Sequence, residues 1–344
     1  MNIAITGSDG FLGKNLQYSL CNQNKNKVFC INKSTDDEEL KKILTKCEIV
    51  FHFAGVNRPK NQKDFFEQNI NFTKKICDLL IKHKKKPKII FASTSHVKNK
   101  NLYGSSKLKS EDILKKFFLK NKSNLFIFRL PNVFGKWSKP NYNSAVSTFC
   151  FNIAREKKIF ISDKNKNIDL VYIDDVIKKF LEIINGKIKN KNKIYYKINS
   201  VHKISLGNLV NLIKKFKINR PKLFVENHIT NFSSNLYSTY VSFLPKKNFK
   251  YRLKSHADNR GEFFEFLKTS NNGQVSIFTI KKNKTRGNHF HHSKVEKFLL
   301  LSGKVEFYMS DLGSNNSIKI KLDEKRREVI ESIPGWFHNI KNIG

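Results

Sequence analysis

Nowhere in its 344 residues does the chain carry an apolar run approaching the ~20 residues that span a bilayer, so a helical membrane anchor is excluded. The start, MNIAITGSDG, runs straight into a glycine-spaced turn without the pattern of a secretory signal, and a cytoplasmic location is expected. Cysteine is sparse. Cys21, Cys30, Cys47, Cys77 and Cys150 form no CxxC pair and read as small buried apolar residues rather than catalytic thiols. Carboxylates are also few, 28 against 66 lysines and arginines, which leaves a net charge of +38. No helix-turn-helix or RNA-binding module accompanies that charge. The lysines run along the whole chain, as in 82–88 (KHKKKPK) and 185–196 (NGKIKNKNKIYY). Lys, Asn, Ile and Phe share A/T-rich codons, so compositional bias accounts for the charge and no nucleic-acid partner is expected. The positive field still favours capture of an anionic small molecule. There is no internal repeat.

What is present is enough to fold. Hydrophobic residues make up 39% and aromatics 12%, including 30 Phe, and the length suits two domains, each with its own core. Strand-like runs (NIAIT, KVFCINK, EIVFHFAG, PKIIFAST, LFIFRL) alternate with helical ones to about residue 200. That alternation predicts a doubly wound parallel sheet, an α/β fold of the Rossmann type. Beyond SFLPKKNFKY the segments are short and aromatic (GEFFEFLK, GQVSIFTIKK, KVEFYMS, SIKIKL), which predicts an all-β sandwich or small barrel. Residues 245–247 (PKK) mark the boundary, with domains over 1–244 and 250–344.

The glycines of TGSDGFLG are Gly7, Gly10 and Gly13. Placed between a strand and a helix, they permit a tight turn, backbone approach to a pyrophosphate and close helix–strand contact. The position that usually carries a ribose-binding carboxylate reads Asn32–Lys33–Ser34, which favours NADPH over NADH. Tyr103 and Lys107 lie four apart, on one face of a helix. Lys107 is placed to lower the phenol pKa, and Tyr103 to protonate a carbonyl oxygen as hydride arrives. The strand end FASTS supplies the hydroxyls of Thr94 and Ser95.

Glycine loop, Ala54–Gly55, Thr94, Tyr103, Lys107, Asn132 and Asp174, in this order, resemble the extended short-chain dehydrogenase/reductase family, as do RLPNVFG (129–135) and LVYIDDV (170–176). The resemblance implies that Thr94, Tyr103 and Lys107 are catalytic. It implies cofactor contacts at Gly7, Gly10, Phe11, Leu12, Gly13, Asn32, Lys33, Ala54, Gly55, Asn69, Lys107, Pro131 and Val133. Substrate contacts are implied at Arg58, Asn132, Asn141 and Asn143. Two departures stand out: Ile168 replaces a family arginine, and Ser95–His96 replaces the Asp–Glu of the dehydratase branch, which leaves plain carbonyl reduction.

The second half has its own chemistry. His289, His291, Glu296 and His338 form a donor set suited to Zn²⁺ or another divalent transition ion, with His289 and His291 pointing to one side of a strand and His292 away. The spacings H-x-H-x(4)-E-x(6)-G and P-G-x-x-H-x(3)-N resemble the two cupin motifs. A metal that only holds the barrel together is as admissible here as a catalytic one. DNRGEFFEF (258–266) is similar to a stretch of cupin-fold sugar epimerases, with Lys297, His292, Glu265 and Tyr308 as candidate bases.

HFAGVNRP (52–59), FGKWSKPNYNSAVSTFC (134–150), LYSTYVSFLP (236–245) and 287–304 together resemble the bifunctional reductase–cupin enzymes of capsular polysaccharide synthesis, over the whole chain. In that family the cupin epimerises C3 of a UDP-4-keto-6-deoxy-N-acetylhexosamine and the reductase then reduces C4 with NADPH, towards UDP-N-acetyl-L-fucosamine. A UDP-sugar substrate and a homodimer are implied. Two other readings stay open: a single-activity UDP-sugar reductase or 4-epimerase with a dimerising cupin, and a non-enzymatic basic binding protein. Only NIKNIG follows His338, so the barrel is expected to be truncated, with weaker metal binding and weaker epimerase activity.

Overall fold

The computed structural model describes residues 1–344 apart from 22–24, 100, 143, 190–192, 226–230 and 270–272. The chain divides into two compact units, one of Met1–Ile218 and His228–Phe249, the other of Asn219–Asn227 and Lys250–Gly344. The inclusion of 219–227 in the second unit was not legible in the sequence. Strand β10, Phe224–Val225, ties that segment in parallel to β12, Gly261–Thr269.

In the first unit β1 (Asn2–Thr6), β2 (Lys27–Ile31), β3 (Ile49–His52), β4 (Lys88–Thr94), β5 (Leu125–Leu130) and β8 (Tyr195–Tyr196) form a parallel sheet in the order β2-β1-β3-β4-β5-β8. A second sheet holds β6 (Asn132–Phe134), β7 (Asn167–Tyr172) and β9 (Val201–Ser205). The central strands are apolar on both faces because helices cover both. Ile3, Ile5, Phe51, Ile90 and Phe128 pack towards α1 (Phe11–Cys21) and, through Val176 and Phe180, towards α7 (Ile173–Ile184). Ala4, Val50, Ile89, Phe91 and Ile127 face α2 (Asp37–Lys46), α4 (Phe72–Lys82) and α5 (Leu102–Asn121). Before α4 the chain winds through a short helix α3 (Lys63–Phe65) and a π-turn over Phe66–Asn71. The second sheet packs with α6 (Ala145–Ala154) and with the helices Leu206–Asn219 and Asn231–Ser242. Caps set two of the helix starts: Asp36 Oδ1 accepts from Glu39 N–H at 2.8 Å and Asn101 Oδ1 from Gly104 N–H at 2.7 Å.

The second unit is antiparallel apart from β10. β11 (Ser255–Asp258) and β13 (Gln274–Phe278) flank β12; β14 (Thr285–His289), β19 (Trp336–Asn342), β16 (Lys304–Asp311) and β17 (Ser317–Asp323) follow in that order; β15 (Lys297–Leu299) pairs with β18 (Val329–Glu331). Its core is Val305, Phe307, Met309, Leu322, Ile330 and Ile340. β19 is bonded on both flanks, to β14 and to β16, so the residues after His338 form an interior strand rather than an edge. No helix among the described residues is long and apolar enough to cross a membrane.

Candidate active site and candidate metal centre

At the end of β1 the chain turns at Gly7 with φ +66°, and Gly7 N–H bonds Ile31 O at 2.8 Å. A Cβ there would stand 2.8 Å from Ala54 N, and one on Gly13 would stand 2.3 Å from Gly7 O. Helix α1 therefore starts hard against the turn. Its opening N–H groups, at Phe11, Leu12 and Gly13, are of the kind that suits a dinucleotide pyrophosphate. Asn32 Oδ1 accepts from Ser34 N–H (3.0 Å) and Ser34 Oγ (2.7 Å), and Lys33 is exposed between them.

Just beyond the end of β3, Gly55 lies where a Cβ would be 2.7 Å from Asn69 Oδ1 and 4.0 Å from Lys107 Nζ. The Ala54–Gly55 turn and Lys107 are thus neighbours. Thr94 ends β4 and accepts from His96 N–H at 3.2 Å, and its hydroxyl lies close enough to Tyr103 to act on the phenol. Thr94 and Lys107 are buried. Thr94 thus lies beside Tyr103, and Lys107, one helical turn further along α5, lies beside Gly55.

The expected lowering of the phenol by Lys107 is not what dominates. Burial pushes Tyr103 up to about 12, against the opposing effect of Thr94. Lys107 Nζ rests 4.0 Å from the Phe91 ring centroid, and burial pulls it down to about 7, with Glu111 acting the other way.

Sequence reading missed Glu111. Fully buried and one helical turn beyond Lys107, it takes Arg129 Nε at 3.0 Å and Nη2 at 2.7 Å, Ser93 Oγ at 2.5 Å and Tyr195 Oη at 2.9 Å. This cluster ties α5 to β4, β5 and β8, and Ser93 directly precedes Thr94. Its one sequence signal is the four-residue step from Lys107 to Glu111.

The remaining predicted residues are more dispersed. Asn69 spends its side chain on Val56 and Ser106. Pro131 and Val133 flank Asn132, whose Nδ2 donates to Asp169 O at 3.1 Å. Arg58 and Asn141 are exposed, and Asn141 N–H donates to Thr148 Oγ1 at 2.9 Å. Asn143 lies outside the described residues. Asp174 pairs with Lys136 at 2.6 Å.

In the second unit His289 and His338 are register partners on β14 and β19, with ring centroids 4.8 Å apart. The donor atoms of His289, His291, Glu296 and His338 all lie within 4.8 Å of one another. His291 Nε2 is 3.1 Å and His338 Nε2 3.5 Å from Glu296 Oε2. The expected strand geometry needs one correction: β14 ends at His289, so His291 sits in the loop beyond it. Gly335 N–H fixes that loop by donating to His291 O at 2.8 Å, while Ser332 Oγ accepts from Glu296 N–H at 2.9 Å. Neither anchor was named from sequence.

His338 is buried and its Nε2 makes no hydrogen bond. A divalent ion would satisfy it, and three imidazoles with a carboxylate fit such an ion. Burial and the neighbouring His289 hold His338 below the usual imidazole range, so a lone pair is available.

Two of the candidate bases are engaged elsewhere: Lys297 with Glu331 at 2.7 Å, and Glu265 with Lys268 at 2.6 Å. His292 stacks edge-on with Phe290, and Tyr308 with Phe337. The DNRG stretch forms the β11–β12 turn. Asp258 accepts from Arg260 Nη2 at 2.7 Å and from Arg286 Nη2 at 3.2 Å, and a Cβ on Gly261 would meet Thr279 O at 2.2 Å.

Comparison with known proteins gives matches for both units. Residues 3–198 match the NAD dependent epimerase/dehydratase family and residues 256–344 the polysaccharide biosynthesis C-terminal domain. A Pseudomonas aeruginosa protein named UDP-2-acetamido-2,6-beta-L-arabino-hexul-4-ose reductase is 37% identical over 344 residues, which is 100% of this chain and 92% of the relative. The capsular polysaccharide assembling protein CapF from Staphylococcus aureus superposes with a TM-score of 0.93 at 39% identity, over 100% of this chain and 93% of that one. A UDP-glucuronic acid 4-epimerase from Bacillus cereus shares the fold, with a TM-score of 0.61 at 19% identity over 71% of this chain and 96% of its own.

Proposed function

The chain belongs to the NAD dependent epimerase/dehydratase family and is a capsular polysaccharide enzyme of the extended short-chain dehydrogenase/reductase type; from that premise we propose that its first unit reduces the C4 ketone of a UDP-4-keto-6-deoxy-N-acetylhexosamine with NADPH. The observation that carries this reading is the placing of the Thr94–Tyr103 pair and of Lys107, the latter beside Gly55. Bound nicotinamide would supply the hydride to C4. Tyr103, held protonated at neutral pH, gives its proton to the carbonyl oxygen, the Thr94 hydroxyl orients that oxygen, and Lys107 offsets the charge left on the phenol. NADPH is preferred because Lys33 stands where a carboxylate would repel a 2′-phosphate.

In the same reading the second unit is a cupin that epimerises C3. A ketone at C4 acidifies the C3 proton, and a metal held by His289, His291, Glu296 and His338 would polarise the ketone oxygen. Reduction removes the ketone and with it the acidity, so the order epimerise-then-reduce locks the product. The molecule acts as a homodimer, in which a second copy covers exposed apolar side chains of the second unit such as Phe266, Val295 and Leu301.

One observation favours a second reading, a single-activity reductase with a structural metal: Lys297 and Glu265 are both ion-paired away from the metal donors. NADPH oxidation with the UDP-4-keto-6-deoxy sugar, followed by product NMR, tests the reductase. Solvent deuterium entering C3 without NADPH supports the epimerase, and no exchange leaves the single-activity reading.

A further inference from the structure

A buried chain of hydrogen bonds runs from the end of β1 to the helix that carries Tyr103. Phe53 N–H and Ala54 N–H both donate to Thr6 Oγ1, at 3.1 Å each. That oxygen's own proton therefore goes onward, to His52 Nδ1 at 2.8 Å. The ring then carries its hydrogen on Nε2, which donates to Thr73 Oγ1 at 2.9 Å, and Thr73 donates to Asn69 O at 2.5 Å. Every partner is satisfied by a neutral His52 in this tautomer. Burial, with the charge of Lys107 added, pulls His52 down to about 3 and keeps it neutral.

The chain ends in the π-turn, whose wider winding carries Phe72 N–H to Glu67 O. Such turns are rare and cluster at functional sites. Asn69 O accepts a second hydroxyl, Ser110 Oγ at 2.9 Å. The Asn69 side chain is spent on both sides: Oδ1 takes Val56 N–H at 2.7 Å, while Nδ2 donates to Val56 O at 3.0 Å and to Ser106 Oγ at 2.8 Å. Thr6, His52, Asn69, Thr73, Ser106 and Ser110 are all buried. Asn69 therefore joins the 54–56 turn to α5 at the residue before Lys107.

We infer that the relay Thr6–His52–Thr73–Asn69 is a positioning device, setting Tyr103 and Lys107 against the bound dinucleotide, and that Asn69 acts through these contacts rather than by touching the cofactor. The inference rests on the ketoreductase reading. Its reach is set by how sharply hydride transfer depends on geometry: a displacement of about 1 Å costs on the order of 100-fold in rate.

Thr73→Val keeps the shape and removes the hydroxyl at the middle of the relay; Thr73→Ser restores the hydroxyl. The Val variant should lose about tenfold or more in kcat with KM for NADPH within about threefold, and the Ser variant should recover most of the loss. An unchanged kcat, an equal loss in Thr73→Ser, or a KM rise exceeding the kcat loss would overturn the assignment. If Thr73→Val does not fold, Ser106→Ala, which deletes the oxygen that accepts from Asn69 Nδ2, should lower kcat by about threefold, and no change there overturns it equally. Nitrogen chemical shifts of the His52 ring, measured on the wild type without substrate, should report hydrogen on Nε2; hydrogen on Nδ1 refutes the relay. Wild-type protein that oxidises no NADPH with the sugar would sink the ketoreductase reading instead, while the ring measurement still judges the relay.

Discussion

In the first unit Phe51, Phe91, Phe126 and Phe128 are fully buried between two layers of helix, and the His52–Thr73–Asn69 and Glu111–Arg129 groups are spent on one another, although Asn15 Oδ1 and Asn57 Oδ1 are buried without a partner. The second unit rests on a six-residue core headed by Phe307, leaves Phe266, Val275, Val295, Leu299 and Leu301 exposed, and buries both ring nitrogens of His338 without a hydrogen bond. One unit holds its site through its own packing. In the proposed reading a bound metal and a second copy would complete the donor set and apolar surface of the other, which would make its order depend on what it binds.

The sharpest way to separate the two is Tyr103→Phe. It removes the proton donor and keeps the shape, so NADPH oxidation should fall by about 10³-fold. Metal content and C3 deuterium exchange should be unchanged; loss of exchange would mean that the units do not act independently.

Arg129→Met tests self-sufficiency in the first unit. It leaves Glu111 buried without its cation and should cost about 3 kcal/mol at pH 7 by urea denaturation. The sign with pH follows from the depressed Glu111 carboxyl, which Arg129, Ser93 and Tyr195 lower against the upward pull of burial. Stability from such a group is present above the unfolded carboxyl value and is lost as pH falls through the folded one, so the penalty should shrink on acidification. A penalty that grows towards pH 4 contradicts this account.

Chelation addresses the second unit. At free metal of about 100 times Kd, bound metal should contribute about 2.7 kcal/mol, and its removal should speed amide exchange in β14 and β19 but not in β1, β3 or β4. Equal acceleration in both units would erase the contrast.

The smallest effect is expected at Lys33. Lys33→Asp should reduce the preference for NADPH over NADH by about tenfold, read from the two KM values, with kcat for either cofactor little changed. An unaltered ratio would show that Lys33 is one more surface lysine.

Sequence alone determined the parts of this protein that depend on spacing along the chain. Gly7, Gly10 and Gly13 between strand and helix, and Tyr103 and Lys107 one helical turn apart, are legible because local geometry ties each interval to one face or one turn, whereas the His289–His291–Glu296–His338 pattern is legible through its donor types and motif spacing. The α/β unit followed by an all-β unit was legible for the same reason, through alternation and apolar periodicity. Only the tertiary structure decided what surrounds those groups. Glu111 meets Tyr195 across 84 positions, Thr6 meets His52 across 46, and Glu296 is held by Ser332 across 36. Burial, not Lys107, sets the Tyr103 phenol, and a loop rather than a strand carries His291. Lys297 and Glu265 look free in the sequence and are ion-paired in the fold. Spacing fixes which side chains share an element, whereas desolvation and hydrogen-bond partners depend on which elements pack together.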